Sequence, residues 1–478
     1  MMRRCVAVFV AAVAAVSVNA GDWTNAGGNQ GRNGLTAELG PDAAGDVLWT
    51  GGVRSSIIAW QPVIAGRRAF MVRQTGFPPE QTGSPVVALN LDTGAELWFK
   101  NIPANSGDWT TWVAGVSNGQ VYVSRSGNGA SVSAKLWALD AVTGDYTWPS
   151  GSQDLIDAGA YEGVVFADNG DPVVASFRSI KRIRATDGTT VWTAARTGSV
   201  SGNCGGAIRG DAIYVVDSVV GGQAIKKFNL TTGAFIYQSP VMAGFLVQNS
   251  PMVGADGTIY LSRVQNNVNV DFFFAINDDG NAMQVRWFQP AGYSTGSEFA
   301  VGNDGSVYMW GPGGVIERRA AADGALINQT AAPIPADFAT PRMAVDSGGR
   351  VFFSNGAFSN GRFYSFNADL TERWSIAVPN INIGAPAIGA DGTLVVAGVG
   401  SNVFALRTER TGGGCGTSDF NGDGDFGTDQ DIEAFFACLG GSCCATCFPG
   451  GADFNGDGDV GTDQDIEAFF RVLGGGNC

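Results

Sequence analysis

Not one of the 478 residues is histidine. That excludes the Ser–His and Cys–His pairs of nucleophilic enzymes, zinc sites built on imidazole, and the Cys-x-x-Cys-His attachment of haem. Carboxylate and lysine chemistry stay open. Basic charge is also scarce, with 29 Lys and Arg against 44 Asp and Glu, a net −15. From Cys415 onward there are 12 acids and one arginine, so this stretch carries −11 and the other 414 residues only −4. Without a basic stripe, nucleic acid and anionic lipid are not expected as partners. Past the first 20 residues no uninterrupted apolar run approaches the length of a membrane span, and none is expected. Before residue 415 the only cysteines are Cys5 and Cys204. With no imidazole to activate it, Cys204 reads as a small buried hydrophobe.

What is present starts with "MMRRCVAVFVAAVAAVSVNAGDW". Arg3 and Arg4, the apolar run Val6–Val18 and the small-residue site Val18-Asn19-Ala20 have the pattern of a secretory signal peptide over residues 1–20. The expected location is secreted or cell-surface, with the periplasm as an alternative. Cys5 precedes the apolar run and is not placed as a lipid-anchor cysteine. Residues 229–231 and 328–330 match the glycosylation acceptor pattern.

Self-similarity organises the body. "VVALNLDTGAELW" ends at Trp98, "LWALDAVTGDYTW" at Trp148 and "IKRIRATDGTTVW" at Trp192, with looser copies at 225–238, 272–287, 316–329 and 363–374. Each is an alternating strand, an Asp/Asn–Gly turn and a second strand ending in a large side chain, which makes a β-hairpin. Most are preceded by a further strand, as in "NGQVYVSR", "GDAIYVVD" and "DGTIYLSR". One repeat therefore holds three or four strands in roughly 41–50 residues. Such a unit cannot bury both faces alone, whereas radial stacking in a β-propeller does so. The last repeat (391–410) lacks a Trp strand, and the orphan strand "GDVLWT" (45–50) carries Trp49. Pairing the two closes a ring. The prediction is an all-β, eight-bladed β-propeller over residues 21–410, with seven blades as the alternative.

The phrase "ALD-x-x-TG-x-x-x-W", at Ala88–Trp98 and Ala138–Trp148, resembles the repeats of PQQ-like (quinoprotein-like) propellers over about residues 45–410. The resemblance implies that Trp49, Trp98, Trp148, Trp192, Trp287 and Trp374 pack neighbouring blades. For the enzymes of that family it also implies a catalytic Asp, a calcium held by Asn and Glu, and a disulfide between adjacent cysteines over the quinone. The body holds no adjacent cysteines and no matching acidic run, so PQQ is not expected as a cofactor and no enzyme is expected.

A linker (411–418) leads to a domain at 419–478 that spells one string twice. "DFNGDGDFGTDQDIEAFF" (419–436) returns as "DFNGDGDVGTDQDIEAFF" (453–470), with Phe426 exchanged for Val460. Asp419, Asn421 and Asp423 at positions 1, 3 and 5, and Gly424 at 6, make the start of a calcium loop, since this hard cation takes six to eight oxygens. Asp425 offers its carbonyl at position 7, and Phe426 at 8 is expected to face the partner loop. Gln430 stands at position 12, where a chelating acid belongs. Asp431 closes the loop if it is one residue longer, and Asp429 is the alternative. The second copy supplies Asp453, Asn455, Asp457, Asp459 and Asp465. Two Ca2+ sites are expected, with binding coupled to folding. Ile432, Phe435, Phe436 and Leu439 form one helical stripe, stopped by Gly440 and Gly441. Two such helices can bury each other.

Two loop–helix repeats without a leading helix resemble a type I dockerin over residues 417–474. The resemblance implies a protein partner, cohesin-like, contacted through Thr428, Asp429, Thr462 and Asp463 at loop positions 10 and 11. The longer loop and the connection "CLGGSCCATCFPGG" depart from that pattern. Cys415, Cys438, Cys443, Cys444, Cys447 and Cys478 form an even set in a small exported module, giving up to three disulfides among fifteen pairings. Half a zinc site at Cys444 and Cys447 is the alternative. The whole reads as an exported, non-catalytic scaffold. Its tail docks, and its propeller offers a ring-shaped face to an unknown ligand. A quinone-dependent dehydrogenase, a polysaccharide-active enzyme and a periplasmic outer-membrane assembly factor are the alternatives.

Overall fold

Alternating strands broken by glycine turns can satisfy their main-chain groups only by pairing side by side. The computed structural model describes residues 21–76, 83, 85–103, 108–127, 135–149, 151, 153–154, 164–176, 178–197, 205–242, 250–265, 270–292, 299–335, 342–357, 359–381, 384–408, 416–448, 451–455 and 460–474. The expected leader with Cys5, and Cys204, Cys415, Asp457, Asp459 and Cys478, lie outside the described residues. The chain divides into two compact units, residues 1–407 and 408–478.

The first unit is an eight-bladed propeller of four-stranded antiparallel sheets. Blade 1 is β2 (Val63–Ala65), β3 (Arg68–Val72), β4 (Pro85–Asn90) and β5 (Glu96–Asn101). Blade 2 is β6 (Asp108–Ser117), β7 (Gln120–Gly127), β8 (Lys135–Asp140) and β9 (Gln153–Asp154). Blade 3 is β10 (Val164–Phe166), β11 (Pro172–Ala175), β12 (Ser179–Ile183) and β13 (Thr190–Ala195). Blade 4 is β14 (Gly206–Arg209), β15 (Ala212–Val219), β16 (Gly222–Asn229) and β17 (Phe235–Gln238). Blade 5 is β18 (Met252–Val253), β19 (Ile259–Gln265), β20 (Val270–Asp278) and β21 (Met283–Ala291). Blade 6 is β22 (Ala300–Val301), β23 (Val307–Trp310), β24 (Ile316–Arg319) and β25 (Leu326–Gln329). Blade 7 is β26 (Arg342–Val345), β27 (Val351–Ser354), β28 (Arg362–Phe366) and β29 (Glu372–Ala377). First strands of neighbouring blades touch, β2 with β6, β6 with β10, β10 with β14 and β14 with β18, so they line the axis.

Ring closure follows the sequence expectation. Blade 8 is β30 (Ala387–Ile388), β31 (Leu394–Ala397) and β32 (Val403–Leu406), completed by β1 (Val47–Thr50). Val47 pairs Leu406, Trp49 pairs Ala405 and Thr50 pairs Phe404. A charge cluster sits at this seam. Arg407 reaches Asp92 at 2.9 Å and Asp391 at 2.7 Å, and Arg67 pairs with both acids.

The repeated phrase explains how blades lock. The indole N–H of Trp49, Trp98, Trp148, Trp192 and Trp287 donates to a turn carbonyl of the next blade: Leu91 (2.8 Å), Ala141 (3.2 Å), Ala185 (2.8 Å), Leu230 (3.0 Å) and Ala321 (2.8 Å). The turn glycine beneath each ring, at 94, 144, 188, 233 and 324, has φ between 70° and 76°. A Cβ there would come within 2.6–2.7 Å of the indole. Glycine is therefore required twice, for φ and for space.

Two blades replace the device. In blade 4, Tyr237 takes the Trp position and its hydroxyl donates to Asp278 of blade 5 at 2.6 Å. Tyr214 (2.7 Å) and Lys227 (2.9 Å) complete that half-buried cluster. In blade 6, Asn328 takes the Trp position and Leu370 (φ 65°) takes the next blade's glycine position. Arg318 and Tyr308 then donate to the Ala368 carbonyl at 3.0 and 3.1 Å. Trp374 packs on Phe352 and Phe363 of its own blade, both at 6.1 Å, and among the described residues its indole N–H has no bond.

A strap missed by pattern reading, residues 23–36, crosses the axis-lining strands of six blades. Its carbonyls accept edge N–H groups: Trp23 from Ile64 (2.9 Å), Thr24 from Val116 (2.8 Å), Gln30 from Ile208 (2.9 Å), Gly31 from Val253 (2.8 Å), Asn33 from Val301 (2.9 Å) and Gly34 from Val345 (2.7 Å). These N–H groups sit on strand edges that no further strand pairs.

The second unit carries α1 (Asp429–Leu439) and α2 (Asp463–Leu473). Its core is four buried phenylalanines: Phe420, Phe435, Phe454 and Phe469. Phe435 and Phe469, one from each helix, stack at 4.1 Å, and Phe420 and Phe454 close the cluster edge-on at 5.4 and 5.2 Å. The expected stripe is thus corrected. Phe435 is buried, Ile432 and Leu439 are half-buried, and Phe436 is 45% exposed. Position 2 of each loop fills the core instead, because two short helices give each other only one line of contact. Among the described residues no helix is long and apolar enough to cross a membrane.

Candidate functional site

The first of the repeated loops folds through its own side chains. In the first copy, Asp419 accepts the Gly424 N–H through Oδ2 at 3.0 Å. Asn421 Oδ1 accepts from the Asp423 amide (2.9 Å), and Asn421 Nδ2 donates to Asp423 Oδ2 (2.8 Å). Asp423 Oδ1 accepts the Asp425 N–H at 2.9 Å. Such short-range bonds are typical of Asx turns and wrap the loop tightly.

Asp431 is fully buried. Its Oδ1 accepts the Asn421 N–H at 3.2 Å, and its Oδ2 accepts the Thr428 N–H and hydroxyl, both at 2.9 Å. It joins the loop to the first turn of α1, with Thr428 as N-cap. Burial works against its charge, but the N–H groups of Thr428 and Asn421 outweigh it and hold the carboxyl below its usual value. The second copy repeats these hydrogen bonds: Asp465 is buried and accepts from Asn455 (3.2 Å) and from the Thr462 amide (2.8 Å) and hydroxyl (2.9 Å).

The structure therefore brings Asp419, Asn421, Asp423 and Asp431 into one bonded loop, and links Asn455 to Asp465. Asp425, Asp429 and Asp463 lie exposed, and Thr428 and Thr462 are half-buried caps. Phe426, expected to face the partner loop, is 70% exposed. Among the described residues no three Asp, Glu or Cys side chains converge to hold a metal by themselves. The donor set is all oxygen, and among the described residues Asp419 Oδ1 is buried with no hydrogen-bond donor. No lysine or arginine among the described residues pairs with Asp431 or Asp465. Arg471, the tail's one arginine, pairs with Glu467 at 2.8 Å. A buried carboxylate oxygen with no donor, in the same loop as a buried carboxylate with no cationic partner among the described residues, fits a hard cation.

Two disulfides border the first loop, Cys438–Cys443 and Cys444–Cys447. In the propeller, a cavity of about 30 Å³ beside the strap is lined by Arg32, Gln61, Ser250, Phe299, Arg342 and Met343. That volume admits a water or two.

A family model described as outer membrane protein assembly factor BamB (PQQ_2) matches residues 82–325. A search of curated proteins finds no match. Among solved structures the chain is similar to quinohemoprotein alcohol dehydrogenase from Comamonas testosteroni, at 13% identity and TM-score 0.55, covering 89% of this chain and 86% of that one. It is similar to a europium-containing methanol dehydrogenase, at 14% and 0.54, covering 80% and 90%. It is also similar to BamB from Moraxella catarrhalis, at 14% and 0.51, covering 74% and 96%. At these identities the likeness shows the fold alone.

Proposed function

This chain belongs to the PQQ_2 family, described as outer membrane protein assembly factor BamB, and from that premise we propose an exported, non-catalytic binding protein. The propeller is its interaction platform. The tail is a dockerin-like module, stabilised by two Ca2+ ions, that docks to a receptor protein, cohesin-like, or attaches the chain to a cell surface. Asp419, Asn421, Asp423 and Asp431 would hold one ion, with the Asp425 carbonyl. Asp453, Asn455, Asp457, Asp459 and Asp465 would hold the other. Bound calcium would supply the positive charge that each loop lacks, so that the loop and the helix after it form together.

The observation that carries the reading is Asp419 Oδ1, buried without a donor among the described residues, in a loop that also buries the Asp431 carboxylate without a described cationic partner. The −11 charge of the tail supports it, as does the absence of histidine and of adjacent cysteines in the body. Calorimetric titration of the full oxidised chain with calcium tests it. Two binding sites are expected, one lost in Asp423→Ala and the other in Asp457→Ala. No binding would overturn the calcium reading. Dye-linked alcohol oxidation after adding PQQ and calcium would overturn the non-catalytic one.

The family match favours a second reading, a periplasmic assembly factor whose propeller face receives other proteins. In that case binding of extended, unfolded outer-membrane chains would survive removal of the tail.

A further inference from the structure

The two loops are spelled almost identically, but the matching carbonyls of Phe420 and Phe454 are braced by different segments. At the first, the Phe448 N–H donates to the Phe420 carbonyl at 2.9 Å. Gly422, at loop position 4 with φ 74°, lies so close to the Thr446 carbonyl that a Cβ there would stand 2.6 Å from that oxygen. Thr446 is inside the ring closed by Cys444–Cys447, and Phe448 directly follows that ring. Cys438–Cys443 ties the last turn of α1 to the same segment. At the second loop the matching carbonyl, of Phe454, accepts instead from the Gly416 N–H at 3.2 Å. Gly416 belongs to the stretch ahead of the first loop, which carries neither of these disulfides.

We propose that the Cys444–Cys447 and Cys438–Cys443 disulfides set the calcium affinity of the first loop and not of the second, making the first a thiol-controlled calcium site. The inference rests on the calcium reading above. Gly422 stands between Asn421 and Asp423, two side chains of the donor set. The wall behind it is a main-chain carbonyl whose position depends on a four-residue disulfide ring. A dithiol reductant delivers two electrons and two protons to that disulfide, giving two thiols and becoming a disulfide itself. Once the ring is open, residues 440–448 regain backbone freedom, and the loop must be ordered by the ion alone. Ordering on binding lowers affinity, and calcium loops respond strongly to rigidity. The second loop keeps its Gly416 brace and its affinity.

Calorimetry on the full chain with calcium as the only probe tests this. In an Asp457→Ala background, where only the first site remains, Cys444→Ser/Cys447→Ser should weaken binding about tenfold or more. Cys438→Ser/Cys443→Ser should act in the same direction. In an Asp423→Ala background, where only the second site remains, the same cysteine changes should leave affinity within about twofold. Gly422→Ala, which keeps both disulfides and crowds Thr446, should weaken the first site alone. Equal losses at both sites, or no loss at the first, would overturn the proposal while leaving the calcium reading intact. Absence of calcium binding in the oxidised wild-type chain would overturn both.

Discussion

The indole of Trp148 occupies the space that a side chain on Gly188 would need: a Cβ there would lie 2.6 Å from the ring, and the Trp148 N–H bonds the Ala185 carbonyl three residues earlier. Gly188 also has φ 75°. Gly188→Ala should cost about 2–4 kcal/mol, combining overpacking with a left-handed backbone. Trp148→Ala should cost about 3–5 kcal/mol, since the side chain is buried. Urea denaturation of the single and double variants checks both. The double variant should lose less than the sum, because each change removes what the other clashes with or rests on.

The exchange at Asn328 and Leu370 predicts its own reversal. Asn328→Trp alone should destabilise, as Leu370 fills the place of the receiving glycine. Asn328→Trp with Leu370→Gly should recover part of the loss, through a coupling of about 0.5–3 kcal/mol. Thermal unfolding of the three variants measures it, and purely additive effects would refute the exchange.

Asp278 predicts an acid-labile blade junction. Burial opposes its charge, but hydrogen bonds from Tyr237, Tyr214 and Lys227 outweigh it and hold the carboxyl down to about 2. A carboxyl with a depressed folded value contributes stability above its unfolded value, near 4, and loses it as pH falls to about 2. The contribution is about 2 kcal/mol, disappearing between about pH 4 and 2. Asp278→Asn should remove it at neutral pH and flatten the stability profile across that window.

The strap predicts an exchange pattern. Its main-chain partners come from blades 1, 2 and 4 through 7, so it can dock only once those blades have formed, although it is near the start of the chain. Trp23→Ala should raise amide hydrogen exchange at Ile64, Val116, Ile208, Val253, Val301 and Val345 by about tenfold or more. Exchange at the β1–β32 seam should stay unchanged. Equal acceleration at that seam would mean that the strap is part of the ring's global unfolding unit.

Much of the propeller was legible because its signals are local. Alternation and Gly turns mark each hairpin, and the orphan Trp49 strand marked the seam. The tail's first bonded loop was legible for the same reason, as Asp419, Asn421, Asp423 and Asp431 fall within thirteen residues. The strap was not, since residues 23–36 have no periodicity and are placed by bonds to strands up to 311 residues away. The tail's core was only half legible. A helical stripe points to Phe435 and Phe436 alike, and only packing separates them.

By itself the sequence determined the strand phrases, their number, the closing strand and the two acidic loops, because each rests on φ/ψ preference, period or charge among near neighbours. Tertiary structure alone decided that Phe420 and Phe454 enter the core, that Asp419 keeps one oxygen without a donor among the described residues, and that the Cys444–Cys447 ring stands behind the first loop. Those outcomes depend on which surfaces meet, and identical strings meet different surroundings.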